Sequence, residues 1–285
     1  KGRKGIEPLG AKGVYILKTP QSVEEGRLRI VNDLSRQKRA DIKKKGEHSD
    51  VIEEKFVFPM LGGRNIGKWV VKSNEFMLVP HSEKFVYGLP EDVLSNEAPD
   101  TYCWLTYFHD ELLASREKNG KFFNPKIHPF YRLDNIGPYT FAPYKVLWKE
   151  QSGCMAAVVV STYCNSVPNA DKKMFVEDKT IVVDSKVLML GLDNEDEAYY
   201  VCGIINSPIV VKIIDGYAIN TNRGIDVLRY IGIPQFDSQS TIHRSIASLS
   251  KQIHELVKKG KKYSELEKQL SNSVKDLYCK RKTRP

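Results

Sequence analysis

The chain has 285 residues, 41% of them hydrophobic, enough to bury a sizeable core as one large domain or as a domain with an appendage. Its five cysteines (Cys103, Cys154, Cys164, Cys202 and Cys279) are odd in number and scattered, and none forms a CxxC pair. That argues against a disulfide framework or a thiolate metal site, and for reduced thiols in a cytoplasmic protein. The net charge of +9 is modest for this length, and no apolar run reaches the roughly 20 residues of a membrane helix, so no membrane partner is expected.

The distribution of charge says more than its sum. Residues 1–45 carry 13 Lys/Arg against 5 Asp/Glu, residues 240–285 carry 12 against 4, and residues 46–239 carry 19 against 26. Two basic ends of +8 flank a middle of −7. Such ends either attract phosphate without regard to sequence or are simply solvated. The chain starts at Lys1 rather than methionine, as expected for a piece of a longer protein.

In chain order, GAKGVYILKT (Gly10–Thr19) reads as a glycine turn entering a strand, and the basic run RQKRADIKKKGEHSD (Arg36–Asp50) as a surface helix or loop. From Val51 to Pro80, short apolar runs are separated by glycines, a strand-and-turn signal. Leu105, Phe108, Leu112 and Leu113 fit an amphipathic helix ended by Gly120. The next three segments are FYRLDNIGPYTFAPYKVLWKE, CMAAVVVSTY and TIVVDSKVLMLG, all strand-rich. AYYVCGIINSPIVVKII then begins as a helix packed on the sheet. Finally Ile242, Ile246, Leu249, Ile253 and Leu256 form a heptad-like seam. GKK at 260–262 interrupts it, and Leu266, Leu270, Val274 and Leu277 resume it. His254 falls on the polar side of that helix, as a surface group. The expected class is α+β: an irregular, mixed, mainly antiparallel sheet domain over 1–239 with packed helices. A basic C-terminal helical hairpin over 240–285 follows, with helices near 240–259 and 263–280.

Catalytic constellations are scarce. GxGxxG, GxxxxGK[ST], GxSxG, HxxxH and HExxH are all absent, and the six histidines lack metal spacing. Asp184-Ser-Lys186, with Asp171 upstream, loosely resembles the carboxylate and lysine set of Mg²⁺-dependent nucleases, which need two acidic ligands beside the scissile phosphate. Asn124-Pro125 resembles the NPPY motif that holds a flipped base in amino-methyltransferases. Lys126 and Ile127 follow where a second proline and an aromatic are required.

Several segments together resemble one family. FVFPMLGGRNIGKW (Phe56–Trp69) resembles the P-x-L-x-G-[RK]-[DN]-[IV] segment of target-recognition domains in N6-adenine DNA methyltransferases and type IIG-like restriction–modification enzymes. GAKGVYIL resembles the entrance strand of those domains, and FYRLDNIGPYTFAPYKVLWKE their central aromatic–lysine strand. EDEAYYVCGIINSPIVVKII (Glu195–Ile214) resembles their EAYYLxGxLNS helix. IGIPQFD (Ile231–Asp237) resembles the IPKF turn before a C-terminal helical segment. The order and spacing agree over most of the chain, and related modules occur in type I specificity subunits.

The resemblance implies a specificity module that grips double-stranded DNA for a methyltransferase domain on the same chain or another subunit. The S-adenosylmethionine site and NPPY would lie in that domain. This chain alone carries no cofactor motif and is expected to transfer no methyl group.

Base reading needs forked donors and amides held rigidly in a groove, and backbone contact needs cations. Arg64 and Asn65, with Lys68 close behind, sit on one glycine turn, and Asn222 and Arg223 beside Gly224 on another. Lys172 and Lys173 follow the Pro168-Asn169 turn. In YTFAPYKVLWK, Thr140, Ala142, Tyr144, Val146 and Trp148 would share one strand face and Lys145 and Lys149 the other. Both faces are apolar enough for a largely buried strand, with its lysines emerging at the rim towards phosphate. Stacking of bases on these aromatics is the sharper alternative. Besides DNA recognition, two other readings stay open. One is a nuclease using Asp171, Asp184 and Lys186, and the other an assembly module working through the C-terminal helices.

Overall fold

The computed structural model describes residues 1–119, 123–217, 224–225 and 231–279. The fold is α+β and its sheets are mainly antiparallel. Its organising element is a four-stranded antiparallel sheet in the order Arg3–Lys4, Val187–Leu192, Tyr144–Lys149, Ala157–Val160. Side chains alternate across a strand, and here the two faces go to two different cores. Leu147 sits between Met189 and Val158, and these residues face a core built from residues 6–189. Trp148 sits between Leu188 and Ala157, and these face a second core that includes all the C-terminal helices. Both faces are covered, so the near-continuous apolar strand Val146–Trp148 is fully buried.

The first core also holds a sheet in the order Val182–Val183, Val57–Leu61, Glu75–Leu78, Ile16–Leu17. Its first pair is parallel and the rest are antiparallel. A three-stranded antiparallel sheet of Gln21–Glu24, Arg27–Val31 and Ser49–Glu53 adjoins it. The predicted helix around Leu105 is two helices, Pro99–Tyr107 and His109–Asn119, broken at Phe108. GAKGVYIL places a one-turn helix, Lys12–Tyr15, before its strand. The basic run after Arg36 contributes the helix Ala40–Lys45, anchored by buried Ile42.

In the second core, Glu195–Asn206 lies directly on the central sheet. Its first turn is acidic, and the Asn194 side chain accepts the Glu197 N–H, both favourable at a helix N-terminus. The helix Thr241–Lys258 packs on it so closely that a Cβ on Gly203 would come within 3.1 Å of Ile246. Ser264–Cys279 completes the expected C-terminal pair. Gly260, at φ 64°, makes the left-handed turn that ends the first helix. Ile246, Leu249 and Ile253, then Leu270, Val274 and Leu277, are buried along the seam. All five cysteines are free thiols.

Two expectations are corrected. The stretch from Tyr139 does not run as one strand. Pro138–Phe141 is a helical turn and the strand begins at Tyr144. His254 is not a surface group. It is 8% exposed, its Nε2 accepts the Val159 N–H at 3.1 Å, and its Nδ1–H donates to Ser250 O at 2.8 Å. The histidine thereby caps the free edge of the central sheet, where a buried unpaired N–H would be costly. Burial holds its pKa down at about 4, so the ring is neutral at pH 7.

Candidate nucleic-acid interface

The GGRNIGKW turn divides its polar residues by role. Asn65 is 1% exposed. Its Oδ1 accepts the Gly62 N–H at 2.7 Å and its Nδ2 donates to Ser73 Oγ at 2.9 Å. The amide is spent on building the turn, which removes Asn65 from the expected base readers. Arg64, with two-thirds of its side chain exposed, is held through Nε by Glu75 at 2.9 Å. It keeps further guanidinium N–H groups for a base or a phosphate.

Two residues on, Ile66–Gly67 and Val70–Val71 form a small hairpin joined by Lys68 and Trp69. Trp69 takes φ 67°, a region that favours glycine, and its N–H donates to Ala157 O at 3.0 Å. The hairpin is thus tied to the edge of the central sheet. Lys68 at its tip pairs with Glu267 of the last helix at 2.6 Å.

Lys145 overturns the rim expectation. It lies in the middle of the central sheet on the first-core face, fully buried, between Val160 and Gly191. Its Nζ donates to Ala142 O at 2.7 Å and Thr180 Oγ1 at 2.9 Å. Burial depresses its pKa to about 7. Lys145 is an internal polar brace and is withdrawn from the DNA contacts. Lys149, half-buried, ends the same strand opposite Val187. Of the aromatics of this strand, Trp148 is fully buried and unavailable for base stacking, and Tyr144 is half-buried.

Lys172 and Lys173 are exposed, on a loop where Asp171 Oδ1 accepts the Lys173 N–H at 2.9 Å and Asn169 takes φ 56°. Asn222 and Arg223 lie outside the described residues.

The nuclease constellation does not assemble as a cation site. Asp184 is 1% exposed. Its carboxylate takes the Lys12 ammonium at 2.9 and 3.1 Å and also pairs with the Arg36 guanidinium. Burial alone would raise its pKa, but the two cations outweigh that and hold it below the usual carboxylate range. Lys186 turns instead to Glu150, at 3.2 Å. Among the described residues, no group of three or more His, Cys, Asp or Glu side chains is arranged to hold a metal ion.

The Asp184 pairs extend into a chain of alternating charge. Arg36 Nη1 donates to Glu75 at 2.7 Å, and Glu75 in turn holds Arg64. Lys12, Asp184, Arg36, Glu75 and Arg64 thus form one continuous ladder from the interior to the exposed turn. Lys12 and Arg36 come from the basic N-terminal segment and escaped the sequence reading. They show no local pattern, and their partner Asp184 is 172 and 148 residues away.

No protein-family model and no curated protein matches the chain. Among solved structures, the fold is similar to that of the Type IIL restriction–modification enzyme MmeI, determined in complex with DNA. The TM-score is 0.55 and the sequence identity 11%. The likeness covers 98% of this chain and 32% of that enzyme's, so this chain spans about a third of the length of the neighbour whose fold it shares.

Proposed function

We propose that this chain is a double-stranded DNA recognition module of a restriction–modification adenine methyltransferase, one that reads sequence and leaves methyl transfer to a separate catalytic domain. The observation that carries the reading is the fold likeness, along nearly the whole chain, to a restriction–modification enzyme solved on DNA. The resemblance of the Phe56–Trp69, Glu195–Ile214 and Ile231–Asp237 segments to target-recognition domains supports it independently. Arg64 is the first candidate base reader: an exposed fork on a turn whose shape Asn65 and Glu75 fix. Preorganisation of this kind lets a side chain discriminate bases without losing much rotamer freedom on binding. Lys172 and Lys173 are candidate phosphate contacts, and Lys149 a weaker one. S-adenosylmethionine belongs to the partner domain, and the cytoplasm, where the DNA is, is the expected compartment.

Titration of a labelled duplex and of its separated strands, at two salt concentrations, tests this. Tighter binding to duplex with a negative salt slope is expected. Equal or stronger binding to single strands would refute duplex recognition. Methyl transfer by the purified chain without a second component would refute the division of labour.

A further inference from the structure

Lys12, Arg36, Lys38 and Lys186, together with Ser185 and Glu7, line an open basin of about 440 Å³. They come from three stretches of sequence far apart, and a shared layering of charge draws them together. The carboxylates lie beneath: Asp184 is 1% exposed at its side chain, Glu75 10% and Glu150 14%. The cations lie above them. Lys12 and Arg36 are about a fifth to a quarter exposed, Lys38 is exposed, and Lys186 is 63% exposed. Lys4, the second partner of Glu150, extends the cationic surface on one flank. Arg64, reached through Glu75, extends it on the other. Glu7, the anion at the rim, accepts the Leu9 N–H at 3.1 Å.

A lysine offers three donors and an arginine five, so the bonds to the buried carboxylates fix these groups and leave N–H groups over. Asp184 therefore anchors Lys12 and Arg36 in this cationic surface, while Glu150 holds Lys186.

We propose that this basin is a phosphodiester-binding site that takes the backbone of duplex DNA beside the turn carrying Arg64. The assignment rests on the DNA-recognition reading above. A free phosphate would occupy one or two of these cations. A row from Lys4 through the basin to Arg64 matches the repeated charge of a nucleic-acid strand.

The test is duplex binding by the full chain as a function of salt, comparing wild type with Lys38→Ala/Lys186→Ala. Both residues stand at the surface, so the melting temperature is expected to be unchanged. Loss of two phosphate contacts makes the slope of log K against log salt shallower by about 1.8, and weakens binding roughly thirtyfold near 0.15 M salt. The loss should be equal on all sequences and be restored by Lys38→Arg/Lys186→Arg. If wild type binds duplex and the double variant binds with the same slope, the basin is rejected and the DNA reading stands. A loss confined to one sequence also rejects the phosphate assignment. If wild type binds no duplex at all, both the basin and the reading beneath it fall.

Discussion

The two basic ends of the chain carry the same net charge in sequence, and their described residues, 1–45 and 240–279, are placed in opposite ways. The N-terminal 45 residues are woven into the first core. They supply an edge strand to the central sheet and most of a three-stranded sheet, and Lys12 and Arg36 are locked onto buried carboxylates. The C-terminal helices pack on the other face of the same sheet and leave their lysines outside. Lys258, Lys259, Lys261 and Lys262 are all exposed around the turn between the helices. Charge fixed in position can set the register of a bound strand, whereas charge on long exposed side chains adds only diffuse attraction. On the DNA-recognition reading proposed above, the described cations of the two ends would have unequal roles, and substitutions on each side of the sheet separate them.

The largest effect is expected at the anchor of the ordered end. Asp184→Ala leaves Lys12 and Arg36 without their shared carboxylate and should cost about 3 kcal/mol, the low end for a broken buried pair because both cations retain some access to water. The folded-state pKa of Asp184 lies below its unfolded value. Its contribution is therefore fully present above about pH 4 and is lost as pH falls through the folded pKa. Denaturant melts at pH 7 and at acid pH should show the gap between wild type and variant narrowing on acidification.

At Lys145, in the sheet that separates the two cores, substitution should have the opposite sign, although stability again rises with pH. Its pKa falls from about 10.5 unfolded to about 7 folded. Between those values the unfolded chain binds the extra proton, so wild-type stability rises with pH across that window and the burial cost is complete below it. Lys145→Met should stabilise the protein by about 2 kcal/mol at pH 7, after allowing for the two lost hydrogen bonds, with the advantage gone towards pH 10. A pH-independent difference would contradict the lowered pKa of the buried amine.

On the C-terminal side, His254→Leu orphans the Val159 N–H and should cost about 1–3 kcal/mol. With a folded pKa near 4 against about 6.5 unfolded, His254 makes wild type lose stability as pH drops from about 6.5 to 4. The leucine variant should lack that slope in chemical denaturation.

The smallest effect is expected where charge is diffuse. Replacing Lys258, Lys259, Lys261 and Lys262 together by alanine should change the salt slope of DNA binding by less than about 1, less than the two basin lysines do. A larger change would invert the comparison between the ends.

What the sequence revealed follows from the range of the forces involved. The C-terminal helices were legible because their seam repeats within a turn or two and needs only the other core to bury it. The central strand was legible as buried because both its faces are apolar. The interior position of Lys145 was not, because a lysine in a strand usually reaches the rim, and its acceptor Thr180 lies 35 residues on. His254 fell on the polar side of its helix by sequence, but the edge strand it caps arrives from 95 residues upstream. Asn65 was read as a base reader because an amide on a glycine turn suits that task, but its amide serves the backbone of that turn, which only the folded loop shows. The cationic basin was invisible for the same reason as His254: residues 12, 36–38 and 184–186 meet only through the fold.

The most direct test of DNA recognition is selection of bound duplexes from a random pool by the purified chain at about 0.15 M salt, near physiological ionic strength, followed by sequencing. Recovery of a single short motif containing an adenine, lost or altered on Arg64→Ala, is the predicted result. A bound pool with no enriched motif, or no bound DNA, would contradict the claim that this chain reads sequence.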